Sequence, residues 1–429
     1  MRARIQKFLS TWPRPVWVIL LGWVINSTGF GMIVPFMSLY FHQVLGIPMK
    51  FIGLLFLATA IVRAISGMVS GRLSDRIGRR PLLILAPAGR GITFFVVAFL
   101  VHHRAPFFPT AFVIAVTFLM AAAYQPVAQA VVADAVEKNR RLQAYAWTRV
   151  AMNLGWALGP AMGGYISQFS YTFLFVIGGI LGLGAALLVF MGVPETAPIK
   201  TGSFPEKGIE KDMPEEKRET IRPMGNLRPP GDSFLVPLRD KPFVHYAVAT
   251  LFLYLLMAQL VATLPVYAVE WVQISKVQLG HLFALNGLLV VFLQTSVIRY
   301  LKRFSILRVQ VFGSLAYALF YFLMAGADAF PALLVLIVGI TLAEMSVTPG
   351  TVTVVSQMAP AKSMGNYMGV FGLFSSAAWS FGPFIGGLLL DFFPGRPYAL
   401  WGTVAVLGII ASGFYMKFRS RFGDIWSGS

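Results

Sequence analysis

The 429-residue chain contains no cysteine, so disulfide bonds and thiolate metal sites are impossible. Charged residues make up only 12% of it, whereas a soluble domain has roughly a quarter. Acidic residues are scarcest, with 17 Asp and Glu against 35 Lys and Arg. A water-soluble globule is excluded because it cannot hide a composition that is 57% apolar. The 37 Phe and 9 Trp exclude an intrinsically disordered chain.

The excess of positive charge is distributed as in a membrane protein. Residues 195–241 hold nine acids and nine Lys or Arg, so the rest of the chain has 26 basic residues against 8 acids. Most of those 26 lie in every second gap between apolar runs. Because cytoplasmic loops of membrane proteins retain Lys and Arg, we expect both termini to be cytoplasmic. The pattern indicates no nucleic-acid partner.

Long apolar runs dominate the chain. A helix needs about 20 apolar residues to cross the hydrocarbon core of a bilayer. Runs of this kind lie at 15–41, 50–71, 81–102, 107–134, 142–165, 170–193, 243–269, 278–300, 306–327, 331–357, 364–390 and 397–418. The sequence therefore predicts an all-α membrane protein with twelve transmembrane helices.

A polar segment at 195–241 divides these runs into two sets of six. Its balanced charge and its prolines prevent it from burying enough surface to fold alone. We therefore expect a six-helix bundle at 1–194, a cytoplasmic linker at 195–241 and a second six-helix bundle at 242–429.

The two sets of runs repeat each other. Pro126 precedes the segment GPAMGG at 159–164, in which Pro160 lies 34 residues after Pro126. In the second set the segment GPFIGG at 382–387 follows Pro349 with the same spacing. A duplicated six-helix unit is a transporter architecture, with the substrate site between the repeats. The prediction is thus two pseudo-symmetric bundles.

The gap between the second and third runs reads GRLSDRIGRRP at 71–81. A tight turn accounts for Gly78, and the positive-inside bias accounts for the arginines. The carboxylate Asp75 can cap a helix N-terminus or pair with an arginine, and so latch the cytoplasmic side. This segment closely resembles the signature loop of the major facilitator superfamily, and the resemblance covers nearly the whole chain. It implies alternating access, with a cytoplasmic gate that includes Gly71, Asp75, Arg76, Gly78 and Arg79.

The segment GWALGPAMGG at 155–164 is similar to the fifth-span motif of superfamily exporters that run as antiporters. The resemblance implies the twelve-span drug:proton antiporter branch and adds Gly159 and Pro160 to the gate. Plain helix packing is the alternative, since proline bends a helix and small residues permit close approach. Many members of that branch carry an arginine in the fourth span and an acid in the first or fourth span. This chain departs from that pattern, because residues 118–126 of the fourth span carry no charge and the first span offers only Asn26. Proton coupling must therefore use other residues.

Four ionisable residues fall inside the predicted spans, namely Arg63, Arg90, Arg149 and Glu344. Each is a functional hypothesis, because charge is costly in hydrocarbon. Glu344 lies about 20 Å from either end of its run, which is near the midplane. We predict that it carries the coupled proton; the alternative is a structural partner for an arginine.

The three arginines are expected to have different roles. Arg63 keeps its proton, so it must meet Glu344, carbonyl oxygens, water or an anionic substrate group. Arg90 is expected to be structural. Arg149 lies about 10 Å into its span, with Asp134 as its predicted partner in a gate or helix lock.

Polar and aromatic residues near mid-span predict an amphiphilic substrate cavity. Together with Arg63, the candidates are Asn26, Phe30, Tyr124, Gln125, Tyr254, Gln259, Asn286 and Trp379. The alternative for each polar side chain is a hydrogen bond between helices.

The sequence favours a secondary active transporter that exports small hydrophobic or amphiphilic compounds, driven by inward proton flow. One rival is a lipid or glycolipid flippase of the same fold, and another is an uncoupled sugar or metabolite facilitator. A membrane receptor that no longer transports is a further alternative, from a different functional class. We expect a monomer in the cell (inner) membrane whose partners are its small-molecule or lipid substrate, protons and the bilayer. No enzymatic activity, cofactor or metal is expected.

Overall fold

The computed structural model describes residues 12–137, 140–195, 236–360 and 363–422. These residues form twelve long helices and no β-strand. The helices, numbered here in chain order, are helix 1 (Arg14–Leu39), helix 2 (Met49–Ile77), helix 3 (Arg79–His102), helix 4 (Phe107–Ala135), helix 5 (Arg141–Phe169), helix 6 (Tyr171–Gly192), helix 7 (Lys241–Met257, continued by Gln259–Val266), helix 8 (Lys276–Leu301), helix 9 (Ile306–Leu323), helix 10 (Phe330–Met358), helix 11 (Met364–Phe392) and helix 12 (Pro397–Phe422). Most of the predicted linker, 196–235, lies outside the described residues, so the domain boundaries stay a prediction.

Each predicted span corresponds to one helix of the structure. Eleven of the described helices are long and apolar enough to cross a membrane. Helix 5 is more polar and carries Arg141 and Arg149 in its first turns. It packs against helices 1 and 8, so much of its surface meets protein rather than lipid. Helix 2 continues to Ile77, beyond the predicted end of its run, because the charged residues there extend the helix past the apolar segment.

The helix packing of the first six helices recurs in the last six. Helices 1 and 5, 2 and 4, and 3 and 6 pack together, and so do helices 7 and 11, 8 and 10, and 9 and 12. Helices 2 and 11, 5 and 8, and 1 and 7 join the halves. The repeat exchanges the pair 2–11 for the pair 5–8. A π-helical turn follows both helix 1 (Tyr40–Val44) and helix 7 (Tyr267–Trp271). The sequence repeat is therefore a structural repeat.

The ends of the helices define two sides of the molecule. Helix 6 ends and helix 7 begins on the side where residues 196–235 connect them, which we call the linker side. Helix 1 begins and helix 12 ends on that same side, because each half contains an even number of alternating helices. The opposite side is called the far side below.

The repeated Gly-Pro-x-x-Gly-Gly segment brings helices together within and between the halves. In helix 5, a Cβ at Gly159 or Gly163 would collide with the backbone of helix 1, whereas a Cβ at Gly164 would collide with Lys276 at the start of helix 8. In helix 11, the first two glycines meet helix 7, and the third, Gly387, meets the backbone of Met49 at the start of helix 2. The last glycine of each motif thus permits contact between the halves on the far side.

Candidate substrate cavity and gates

A central cavity of about 480 Å³ lies between the two halves. Helices 1, 2, 4 and 5 line it from one half, and helices 7, 8, 10 and 11 line it from the other. Its wall is rich in aromatic rings, contributed by Phe30, Phe56, Phe118, Trp156, Phe283 and Trp379. These surroundings suit an amphiphilic or aromatic small molecule, because such pockets combine apolar walls with a few polar groups.

The cavity has a second lobe of about 420 Å³, which shares Arg63 and Trp379 with the first. This lobe extends toward the linker side along helix 4, where Gln125 and Gln129 are both exposed. Ser375 and Ser376 of helix 11 line its other wall. The second lobe is therefore more polar than the first.

Glu344 lies on the wall of the first lobe, midway along helix 10. Its Oε2 accepts a hydrogen bond of 3.3 Å from Nδ2 of Asn286, which also donates to Oγ1 of Thr341 at 2.9 Å. Its side chain is partly exposed to the cavity. Neither ion pair found in the described residues involves Glu344, so the structure does not make it the partner of an arginine.

Arg63 lies where the two lobes meet and is exposed to the cavity. Within the part of the chain that the structure describes, it makes neither a hydrogen bond nor an ion pair. Its guanidinium keeps its charge and presents five N–H donors. The central cavity thus contains one cation without a protein partner and one carboxylate held by an amide.

Asn26 and Tyr124 were expected in the cavity, but the structure buries both between helices of the first half. The backbone O and Oδ1 of Asn26 accept hydrogen bonds from Nη1 of Arg90, which is itself fully buried. The ring of Tyr124 packs edge-on against Trp23, with 5.3 Å between ring centroids. The expectation is wrong for both residues, because Asn26 on helix 1 faces helix 3 and Tyr124 on helix 4 faces helix 1. Arg90 has the structural environment that was expected for it.

Tyr254 and Gln259 were also predicted to line the cavity, and the structure places them inside the second half. The Tyr254 hydroxyl lies 2.8 Å from Oγ1 of Thr351 on helix 10. Nε2 of Gln259 donates to the backbone oxygens of Leu255 (2.8 Å) and Gly382 (3.0 Å). Both side chains are buried and join helices, which was the alternative reading of such residues. Phe30, Arg63, Gln125, Asn286 and Trp379 do line the cavity.

Several polar contacts close the far side between the halves. Oδ1 and Oδ2 of Asp391 accept hydrogen bonds from the backbone N–H groups of Met49 (3.0 Å) and Lys50 (2.8 Å), which begin helix 2. A carboxylate at a helix N-terminus satisfies free donors and complements the helix dipole. Nε2 of His42 lies 3.3 Å from Oε2 of Glu270, so a further contact joins helices 1 and 7.

Among the described residues, the linker side has one ion pair, and it lies within the first half. Arg79 forms an ion pair with Asp134, and its Nη1 also donates to the backbone oxygen of Ala130 at 2.9 Å. The predicted pairing of Asp134 with Arg149 is therefore wrong. Helix 3 packs on helix 4, so Arg79 at the start of helix 3 lies beside Asp134. Arg149 is exposed.

The remaining gate candidates lie at or near the turn between helices 2 and 3. Gly71 and Asp75 belong to helix 2, but the side chain of Asp75 lies outside the described residues. Arg76 is exposed, and Gly78 has a φ of 99°, a conformation that favours glycine. Pro160 packs in helix 5 against Gly31, beside Gly159.

The sequence analysis missed several residues that form the polar contacts on the two sides of the molecule. Glu195 caps helix 3, because its Oε1 and Oε2 accept from the backbone N–H groups of Arg79 (3.0 Å) and Arg80 (3.1 Å). In the sequence analysis Glu195 was only the first residue of the predicted linker, and no role was predicted for it. Asp391, His42 and Glu270 were also missed. Each directly follows a predicted apolar run, and this position at the edge of a span is the one sequence feature that could have indicated a contact there. No cluster of acidic and histidine side chains suited to a metal is present among the described residues.

Comparison with known proteins supports a transporter. The family model described as Major Facilitator Superfamily matches residues 19–383 and again 272–423. A Na(+), Li(+), K(+)/H(+) antiporter of Planococcus maritimus is 24% identical over 424 residues, which cover 93% of this chain and 95% of the antiporter. Multidrug resistance protein MdtH of Yersinia enterocolitica is 22% identical over 410 residues, which cover 94% of each chain.

Among solved structures, the crystal structure of the human organic anion transporter MFSD10 (TETRAN) superposes with a TM-score of 0.62. The two chains are 20% identical, and the match covers 94% of this chain and 99% of MFSD10. At this identity the likeness shows a common fold.

Proposed function

Because the chain belongs to the major facilitator superfamily, we propose that it is a proton-coupled transporter that exports small amphiphilic compounds by alternating access. The observation that carries the proposal is the position of Glu344, a single carboxylate on the aromatic wall of the cavity between the halves. One chain forms the whole cavity, so we expect a monomer to be the functional unit.

Glu344 has the properties that a proton carrier requires. A carboxylate in a membrane interior is costly when charged and dehydrated, and it is readily charged when water reaches it. An alternating-access cycle changes the hydration of the cavity, so it can change the proton occupancy of Glu344. Asn286 can donate to the carboxylate in either protonation state, because one oxygen always remains an acceptor.

The contacts between the halves support an alternating mechanism. Those of Asp391 and of His42 with Glu270 lie on the far side, and the second cavity lobe extends toward the linker side. Rocking of one half against the other around the central cavity separates these far-side contacts and closes the linker side. We propose that the linker side is cytoplasmic, so substrate enters from the cytoplasm in this conformation.

The antiport direction rests on two relatives, one named a cation/H(+) antiporter and the other a multidrug resistance protein. The test is transport by the purified protein in proteoliposomes with an imposed pH gradient. Uphill movement of a cationic or neutral dye against proton flow supports the proposal. Gradient-independent movement of sugars, or lipid movement indifferent to dyes, contradicts it and favours the facilitator or the flippase.

A second candidate, transport of organic anions, is favoured by the unpartnered Arg63 in the cavity. A dehydrated guanidinium binds carboxylate or phosphate groups by two parallel hydrogen bonds. The solved structure of MFSD10 is titled an organic anion transporter, which is consistent with this candidate.

The sign of proton coupling separates the two candidates. A cation competes with the proton for Glu344, which produces antiport. An anion at Arg63 is repelled by charged Glu344, so its binding improves when Glu344 is protonated, and proton and anion then move together. Measured binding of aromatic carboxylates that strengthens at low pH and is lost in Arg63→Gln supports the second candidate. Cation binding that weakens at low pH supports the first.

A further inference from the structure

A separate cavity of about 560 Å³ lies between helices 9 and 10. Helix 9 contributes residues from Arg308 to Phe320, and helix 10 contributes residues from Gly339 to Ser346. Small side chains give the cavity its depth, since Gly313, Ala316, Gly339 and Ala343 lie along its walls. At its rim Phe312 is 67% exposed, so the cavity is a groove on the outer surface of the bundle, where lipid surrounds it.

The groove has the dimensions and the polarity of an acyl-chain site. From Arg308 to Phe320 it follows twelve residues of helix, or about 18 Å. That length matches one leaflet of a hydrocarbon core that is about 30 Å thick. Apart from Arg308, its one polar lining side chain is Ser346, whose hydroxyl donates to the backbone oxygen of Leu342 at 2.7 Å.

Basic residues gather at the linker-side end of the groove. Arg308 is in the first turn of helix 9, and Lys302 and Arg303 lie in the turn that precedes it. All three are exposed, and Ser305 caps the helix through the N–H of Arg308. Arginine suits phosphate groups, and a helix N-terminus favours an anion. Positive charge at the membrane surface also attracts anionic lipids.

From this juxtaposition we propose that the groove binds one anionic phospholipid. One acyl chain lies between helices 9 and 10, and the phosphate meets Arg308. The bound lipid contacts helix 10 on residues such as Leu342 and Ala343, whereas Glu344 of the same helix faces the central cavity. The lipid therefore supports, from outside, the helix that carries the cavity carboxylate.

The test compares phosphatidylglycerol with phosphatidylcholine of identical chains. Protein purified in detergent is titrated with each lipid, and bound lipid is counted by native mass spectrometry. We expect phosphatidylglycerol to bind the native protein about tenfold more tightly, and Arg308→Gln to remove most of that preference. The matched control is Lys241→Gln, which removes an exposed positive charge at the start of helix 7 and should keep the preference.

A second variant tests the acyl-chain site itself. Ala316→Phe fills the groove and should weaken binding of both lipids while leaving Arg308 in place. Because Arg308 is a surface residue, Arg308→Gln folds and stays decisive even if the larger side chain at 316 disturbs folding. Equal binding of the two lipids by the native protein, or equal loss in Arg308→Gln and Lys241→Gln, overturns the proposal.

Discussion

The imidazole of His42 and the carboxylate of Glu270 meet across the far side of the molecule, with 3.3 Å between Nε2 and Oε2. Both residues belong to π-helical turns that follow equivalent helices of the repeat, helix 1 and helix 7. The other ring nitrogen of His42 lies 2.9 Å from the backbone oxygen of Ile47. This pair therefore adds to the contacts of Asp391 that close the far side, and its separation must accompany opening there.

Glu270→Gln should make the cavity more accessible from the far side. A partly exposed ion pair contributes about 0.2–1 kcal/mol, so accessibility should rise by up to about fivefold. Ala60 of helix 2 lines both lobes of the cavity. The absence of native cysteine allows a single reporter there, Ala60→Cys, to be labelled by a membrane-impermeant thiol reagent. Glu137→Gln on the linker side is the matched control and should leave the labelling rate unchanged. Equal rates for both variants would show that the pair does not hold the gate.

Asp391 and Glu195 provide a second comparison, because each caps a helix N-terminus through two backbone N–H groups. Asp391 joins the halves, whereas Glu195 acts within the first half. Loss of a cap costs about 0.5–2 kcal/mol. Asp391→Ala, which removes both acceptor oxygens, should therefore increase far-side labelling of the Ala60→Cys reporter. Glu195→Ala should lower the melting temperature without that increase. An increase in far-side labelling for Glu195→Ala and none for Asp391→Ala would contradict the gate described here.

Much of the fold could be predicted from the sequence because the bilayer imposes helix length directly. Each apolar run became a helix, and the repeated Gly-Pro-x-x-Gly-Gly segment marked equivalent helices. Helix 5 shows where composition alone is less informative. Residues 142–165 were predicted as a span like the other runs, yet helix 5 is not among the eleven described helices that are apolar enough to cross a membrane. Its polar residues suit a helix that packs against helices 1 and 8 and lines the central cavity.

The site was predicted less completely, because depth in the membrane does not determine the direction in which a side chain points. Glu344 and Asn26 both lie within spans, yet one faces the cavity and the other contacts Arg90. Pairing of charges failed for the same reason. Arg149 was predicted to pair with Asp134 because of its depth in the membrane. Helices 3 and 4 pack together, however, and Asp134 forms its ion pair with Arg79.

Residues 196–235 should be accessible to protease only from the cytoplasm. The charge bias of the loops predicts that the linker side is cytoplasmic, since cytoplasmic loops retain Lys and Arg. Protease added to right-side-out cells should leave the chain intact, whereas protease added to inverted vesicles should cut it into two fragments of about equal size. Cutting in right-side-out cells would reverse the orientation and, with it, the proposed direction of entry.

Asn26→Leu should destabilise the protein strongly, because it leaves the buried Arg90 guanidinium without its side-chain acceptor. Leaving a buried donor without its hydrogen-bond partner costs about 1–3 kcal/mol, and more when the donor is charged. A double variant, Asn26→Leu with Arg90→Met, should recover most of the loss, because an apolar pair replaces the polar one. Thermal unfolding in detergent measures both. A double variant no more stable than Asn26→Leu would mean that the loss has a cause other than Arg90.

Glu344→Gln should retain folding and substrate binding but abolish uphill, proton-driven transport. Glutamine keeps the shape of the side chain and can accept the hydrogen bond from Asn286, yet it cannot bind and release a proton. Downhill exchange should survive, because alternating access itself does not need the proton. Glu344→Asp should keep partial coupling with a changed pH dependence, since the shorter carboxylate still titrates.

Asn286→Leu is the matched control for Glu344→Gln, because it removes the hydrogen bond and retains the carboxylate. It should alter the pH dependence of transport and preserve coupling. If the hydrogen bond to Asn286 were the only role of the side chain, Asn286→Leu would lose thermal stability, and Glu344→Gln would keep both stability and proton-coupled transport. Transport by both variants is measured in proteoliposomes with an inward proton gradient. Full uphill transport by well-folded Glu344→Gln would remove this carboxylate from the mechanism, because no other acidic side chain among the described residues lines the central cavity.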